Sequence, residues 1–456
     1  MSIIPLGYSE GDASIEELAK IRLRNMYLTE NRYSPDKLAR FTRPTLDHYL
    51  TLGISPIYGV YFQYGSLNND WFIVAGEILY KVDSTGTPTI IGAIPGAGVC
   101  QFASTIDKLV IVRSGVAYST EGTTIHTIAM PDDRPVGSVA CIDGSFLLSQ
   151  QNYYRFYWLR PGESDPDPLS FASAERSPDG IMGFAILSDE IWIIGQSNVE
   201  VWQTTGDLDA PYVRIAGRVY SYGSVDANTI YTTSFQGQPC AIWVTEKRAI
   251  VLAQGSTEVI STKAVENLLQ TAANFRSYGF RWNQHEFYVL TTDQKTVVYN
   301  LNNQTWSTWD SYLFPNWRAH VGFQINQDVY CGDSATGKVW KLNNGYSDDG
   351  QKIVREVSGF LIEKSSKANC FSVNVRINAG WTPEYTGTPE LEMRFSDDYG
   401  FSWSPYYSVS MGKKGAYDYD ATYRSLGTYQ RPGREFEFRF SDIAKFRVDY
   451  ATINEV

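Results

Sequence analysis

Histidine is scarce in this chain: His48, His126, His285 and His320 lie far apart in 456 residues, with no HxH or HExxH pair. A metal site or histidine-based triad therefore has no local support. Cysteine is equally thin. Cys100, Cys141, Cys240, Cys331 and Cys370 are odd in number, widely spaced and mostly set in strand-like runs. That pattern excludes a disulfide framework and a zinc site and predicts buried free thiols. Positive charge is in deficit as well. With 39 Lys and Arg against 50 Asp and Glu the net charge is −11, which excludes a general nucleic-acid binder, because clustered basic side chains must replace phosphate counterions. No window approaches 18 consecutive apolar residues, so no membrane-spanning segment is expected. The stretch Met1-Ser2-Ile3-Ile4-Pro5-Leu6-Gly7 lacks the charged and long apolar parts of a signal region, which predicts a soluble, unsecreted chain. There is no G-x-S-x-G elbow, Walker A loop or dinucleotide fingerprint; Gly92, Gly96 and Gly98 flank a proline turn outside any βα context. These absences predict a protein without a cofactor and without a catalytic role.

What is present favours strands. The hydrophobic fraction is 43% and the aromatic fraction 14%, with 31 Tyr and 12 Trp, as half-buried extended segments require. From about residue 56 an apolar run, a short turn and an aromatic-bearing run recur. The recurrences begin at residues 72, 109, 146, 191, 242, 287 and 329, so the spacings are 37, 37, 45, 51, 45 and 42. That is the period of propeller blades, and a ring of radial sheets keeps a long all-β chain free of open edges. The expected fold is all-β: a β-propeller of about seven blades, six being possible, with a pair of β-sandwiches as the alternative. Residues 1–55 form an N-terminal arm with one helical pattern at 13–21, residues 56–345 the propeller, and residues 346–456, where strict alternation sets in, an antiparallel β-sandwich-like domain. The best helix is expected at 261–272, behind capping residues Ser261 and Thr262. A proline-rich loop, 160–169, is an excursion from one face.

Two local patterns invite a chemical reading. Asp165, Asp167 and Glu175 resemble an acid/base set, but nothing nearby would desolvate them, so solvated loop charges are the better assignment. Ser396-Asp397-Asp398-Tyr399-Gly400-Phe401-Ser402-Trp403 resembles the Asp-box, in which Ser396 and Asp398 cap a turn with Gly400 at its bend and Trp403 packed beneath. Sialidases carry several copies within a propeller. Here a single copy lies outside the propeller, which favours a structural staple; a carbohydrate-binding or glycosidase propeller is the alternative.

The stretch Ser177-Pro178-Asp179-Gly180-Ile181-Met182-Gly183, continued by Ile193-Ile194-Gly195-Gln196-Ser197 and Val199-Glu200-Val201-Trp202, resembles the central signature of the packaged-DNA stabilisation proteins of short-tailed, podovirus-like bacteriophages, also called tail hub or nozzle proteins. Pro178, Asp179, Gly180, Gly195 and Trp202 are its marker residues. The likeness extends to Asn25-Met26-Tyr27, to 264–272, to Tyr330-Cys331-Gly332-Asp333 and to Arg394-Phe395-Ser396-Asp397-Asp398 with Phe438-Arg439-Phe440-Ser441-Asp442. It departs at Arg43-Pro44-Thr45, where a glycine after the proline would be usual. The resemblance implies a virion structural protein made in the host cytoplasm, forming a hexameric ring beneath the portal and adaptor. Such a ring continues the channel, retains packaged DNA and carries tail fibres or tailspikes, with a tail needle as a further partner. DNA would pass through the lumen without sequence-specific binding. Residues 51–345 carry 27 acidic and 18 basic side chains. If this part faces the lumen, Asp179, Asp189, Asp207 and Asp209 would repel passing phosphates.

Overall fold

The structure, a computed structural model, describes residues 2–7, 22–174, 179–362, 367–378, 387–413, 415, 417–431 and 433–455. The helical pattern at 13–21, Glu175 and Pro178 lie outside them. The second strand of each repeat explains the period. Trp71–Ala75, Leu109–Arg113 and His285–Thr291 are buried at every position. A strand covered on both faces by neighbouring sheets needs an unbroken apolar run, whereas the outermost Pro88–Ala93 is almost wholly exposed and carries none.

Seven antiparallel four-stranded meanders follow one another among the described residues. Six are free-standing propeller sheets; the other, 276–309, is the start of a nine-stranded sheet. Seven apolar cores lie between successive meanders. The core of Ile57, Trp71, Ile73, Phe323, Tyr330 and Val339 joins the last to the first and closes the ring. The expectation of about seven blades with six possible is met by six free-standing blades and a seventh meander shared with the C-terminal part.

The last meander takes its outer strand from the other end of the chain: Thr45–Thr51 pairs antiparallel with Lys338–Asn343. We propose the division 1–55, 56–345 and 346–456 as three parts in which the arm supplies this closing strand. Thr45, which stands where a glycine would be usual, donates its hydroxyl to Asn343 O at 3.1 Å and accepts Gly345 N–H at 3.1 Å.

The C-terminal part is a sandwich. Arg355–Ile362, Gly433–Phe440, Glu390–Ser396 and Tyr407–Ser410 form the far half of the nine-stranded sheet. They share one core with a seven-stranded sheet, joining Val357, Phe436 and Phe438 to Val373, Val375 and Ile453. The arm hairpin Met26–Glu30 and Leu38–Thr42 belongs to that second sheet, so Met26 and Leu28 are core residues of the sandwich. The helix is Lys263–Leu269, capped by Thr262, with Val265 and Leu269 buried. Among the described residues no helix is long and apolar enough to cross a membrane.

Candidate functional site

Chain segments remote in sequence converge at the seam between propeller and sandwich. Leu23–Arg24 pairs parallel with Thr305–Trp309 of the propeller and antiparallel with Arg355–Ile362 of the sandwich, so one ladder runs through both. The next residue, Asn25, is fully buried with φ +55°, a conformation asparagine tolerates. Its amide nitrogen donates to Asp310 Oδ1 at 2.7 Å and Val354 O at 2.8 Å; its oxygen accepts Arg43 Nε at 2.9 Å and Asp310 N at 2.8 Å. Arg43 is buried as deeply. It donates to both oxygens of Asp348, at 3.0 and 2.6 Å, and to the carbonyls of Pro44 and Asp310. Arg24 joins Asp310 at 2.6 Å to Glu356 at 3.1 Å. Arg355 spends its guanidinium on Thr42 and on the carbonyls of Ile353, Asp442 and Tyr346, and burial, then nearby Arg43, lowers its proton affinity. This satisfied network spans arm, propeller and sandwich. Buried charges of both signs, each fully hydrogen-bonded, fix relative position more strictly than apolar contact does. Sequence reasoning missed it; the sole pointer was the unusual Arg43-Pro44-Thr45.

The marker stretch builds a link between two turns. Asp179 Oδ2 accepts both the backbone N–H and the hydroxyl of Ser197 at 2.7 Å, and Gln196 N donates to Gly180 O at 3.1 Å. Gly195 N donates to Asn198 O and its carbonyl accepts Ser224 N, both at 2.8 Å. A Cβ at Gly223 would lie 2.1 Å from Gln196 O, so only glycine fits beside this turn. Trp202, packed edge-on to Phe156, donates its indole N–H to the buried Glu200 at 3.1 Å. Asp179, Gly180, Gly195 and Trp202 therefore stand within one blade, the first three together at its turns.

The Asp-box-like segment folds as a capped turn. Ser396 Oγ donates to Asp398 Oδ1 at 2.7 Å and accepts Gly400 N at 2.9 Å; Ser402 donates to Asp398 through N and Oγ at 2.8 and 2.5 Å. Gly400 has φ +80°, and Trp403 Nε1 donates to its carbonyl at 3.1 Å. Ser402's hydroxyl, its backbone N–H and Ser396 hold the Asp398 carboxyl down to about 2. Asp397 instead receives a two-pronged bond from Arg434 at 2.6 and 2.8 Å.

The loop carboxylates act as local caps. Asp165 accepts Ala129 N at 2.7 Å and contacts His126 at 3.1 Å; Asp167 accepts Leu169 N at 2.8 Å. Partial burial raises the Asp165 carboxyl, but these bonds outweigh it and leave it lowered, opposite to what a general acid needs. In a four-stranded meander the first and third turns emerge on one face. In the second, third and fourth units those turns expose Asp107, Asp143, Asp167, Asp189, Asp207 and Asp209. Their basic neighbours Lys108 and Arg160 are tied to the carbonyls of Glu163 and Leu208. Both cations keep their charge, so six carboxylates against two cations leave this part of the face net acidic. Asp179, on the other face, is committed to Ser197.

The innermost strands of all seven units wall a central cavity of about 520 Å3.

Residues 42–347 match a phage-stabilisation family described as bacteriophage P22 Gp10, β-propeller. The chain is 23% identical over 354 residues to the tail hub protein gp10 of Salmonella phage P22, covering 70% of this chain and 72% of that protein. Among solved structures, the computationally designed Ika8 protein aligns with a TM-score of 0.40 at 11% identity, over 71% of this chain and 99% of its own.

Proposed function

Because this chain belongs to the phage-stabilisation family typified by the P22 Gp10 β-propeller, we propose that it is a virion structural protein of a bacteriophage tail hub that continues the portal and adaptor channel, retains packaged DNA and seats tail fibres or tailspikes. The observation that carries this reading is the family match across the propeller, in a chain whose sandwich is joined to that propeller by a continuous ladder and a buried ion-pair network. Such a body suits a rigid subunit of a closed ring, in which one surface meets a different surface of the next copy. A homohexamer is the proposed assembly, with a tail needle as a further partner. The acidic first-and-third-turn face, with Asp189, Asp207 and Asp209, is the surface proposed to line the DNA path, where like charge keeps phosphates from adhering. Pro178, Asp179, Gly180, Gly195 and Trp202 are proposed as architectural markers and Ser396, Asp398, Gly400 and Trp403 as a turn staple, none of them catalytic.

Electron microscopy of the purified chain, alone and mixed with portal and adaptor, tests the role. Six-fold rings that extend the portal complex are expected; a monomer that ignores it would overturn the assignment. Virions carrying Asp189→Lys, Asp207→Lys and Asp209→Lys together should eject DNA more slowly. Unchanged ejection would remove this face from the DNA path.

A further inference from the structure

The central cavity opens at one mouth into a second of about 290 Å3, and the two share Val99, Gln101, Ala227 and Asn228. Their walls hold two guanidinium groups, Arg276 in the larger and Arg113 in the smaller. Among the described residues neither is in an ion pair. Arg276 donates from Nη1 to His320 Nδ1 at 2.6 Å, and His320, itself fully buried, lies 2.6 Å through Nε2 from Ile57 O. A carbonyl only accepts, so Nε2 carries the proton and Nδ1 is a bare acceptor. The imidazole is therefore neutral. Burial, then the adjacent Arg276, pushes it down to about 3, and burial also lowers Arg276. His320 orients the guanidinium but supplies no counter-charge.

Arg113 is 1% exposed; its Nη1 donates to Gly76 O at 2.7 Å and Ile94 O at 2.8 Å, while its Nε has no partner. The Tyr58 ring lies 4.7 Å from the Arg113 guanidinium. The wall carboxylates are placed elsewhere: Asp226 accepts Asn228 N at 2.8 Å and is coupled to Arg248, and Asp143 sits in a turn at the opposite end. Ser138 Oγ, on the same wall, makes no hydrogen bond among the described residues. A partly desolvated cation with no anion is costly, and nature pairs such groups.

We propose that the propeller's central cavity binds a small oxyanion, of the phosphate or carboxylate class, on Arg276 at the mouth it shares with Arg113. The guanidinium fork matches two oxygens of such an ion. A volume of about 520 Å3 accommodates a small molecule. The site is independent of the tail role.

The test uses the full chain at ionic strength held constant with sodium chloride. Inorganic phosphate is followed by 31P line width, and phosphate and acetate are each followed by thermal melting. Saturable broadening is expected, with Tm rising with the logarithm of anion concentration. Acetate that displaces phosphate identifies the shared oxyanion chemistry; acetate alone raising Tm assigns the carboxylate class. Arg276→Gln, verified as folded by circular dichroism, should bind at least tenfold more weakly. If that variant does not fold, Arg276→Lys, which keeps charge and loses the fork, should weaken phosphate by a smaller factor. Absence of saturable binding by either anion overturns the proposal, as does wild-type affinity in the folded variant.

Discussion

Replacing Arg43 by methionine would strand the Asp348 carboxylate inside the seam. The pair is closed to water, with side chains 0% and 7% exposed, and Arg43 also satisfies Asn25 Oδ1 and two carbonyls. Removing one partner of such a pair costs about 3–5 kcal/mol, because the survivor is left charged and dry. Among the described residues the Asp348 carboxylate keeps the Leu46 N–H, at 3.1 Å, as its hydrogen bond, with Arg355 as the remaining nearby cation. Taking ~3 kcal/mol, the population in which arm and sandwich part from the propeller should rise roughly 150-fold. Native-state proteolysis reads this population directly when opening is fast relative to cleavage. It suits a chain built of several parts, which can open separately. The double variant Arg43→Met with Asp348→Asn removes both charges, so its cost should fall short of the summed single costs by about 2 kcal/mol. A rise of less than about fivefold in the single variant, or strict additivity in the double, would refute the claim that this pair holds the seam.

Three further outcomes follow from the geometry. Gly223→Ala places a carbon against Gln196 O, and overpacking of about 1–3 kcal/mol should lower the urea midpoint of the propeller; an unchanged midpoint would mean the turn yields freely. The Asp398 carboxyl is depressed to about 2, so the stability it contributes is complete above its ordinary value near 4 and is lost as pH falls toward 2; Tm between pH 4 and 2 should vary less in Asp398→Asn than in the wild type. His320 is depressed to about 3, so the unfolded chain binds a proton that the folded chain refuses between about pH 6.5 and 3; stability should decline across that window as pH falls, and His320→Gln should flatten the slope by one proton.

The periodic part of the fold was legible because its signal is local. The predicted runs at 72, 109, 146, 191, 242, 287 and 329 fall on second strands that begin at Trp71, Leu109, Ser145, Glu190, Gln238, His285 and Asp328. Covered on both faces, those strands have no polar side to obscure them. Outer strands such as Pro88–Ala93 and Ser256–Val259 escaped notice, being exposed and mixed in composition. The closing strand Thr45–Thr51 reads as nothing in particular: its burial falls from both residues of its first pair to an exposed middle, without period. The seam was invisible for another reason. Asn25, Arg43, Asp310 and Asp348 are isolated polar residues whose bonded partners stand up to 305 positions apart, and only folding brings them together. The turn chemistry of Ser396 to Trp403 was readable because donor, acceptor and glycine sit within one segment.

The closing strand also sets the order of events in synthesis. Thr45 and its partner Asn343 are 298 residues apart, so at about 5–20 residues per second the first strand leaves the ribosome roughly 15–60 s before anything exists to pair with it. Until then the growing ring has two open edges, each a template for a strand of another nascent chain. Closure of the propeller is thus the meeting of its two ends, a contact of high sequence separation and therefore slow to form. Any delay in that closure leaves both edges open to intermolecular pairing between unfinished copies.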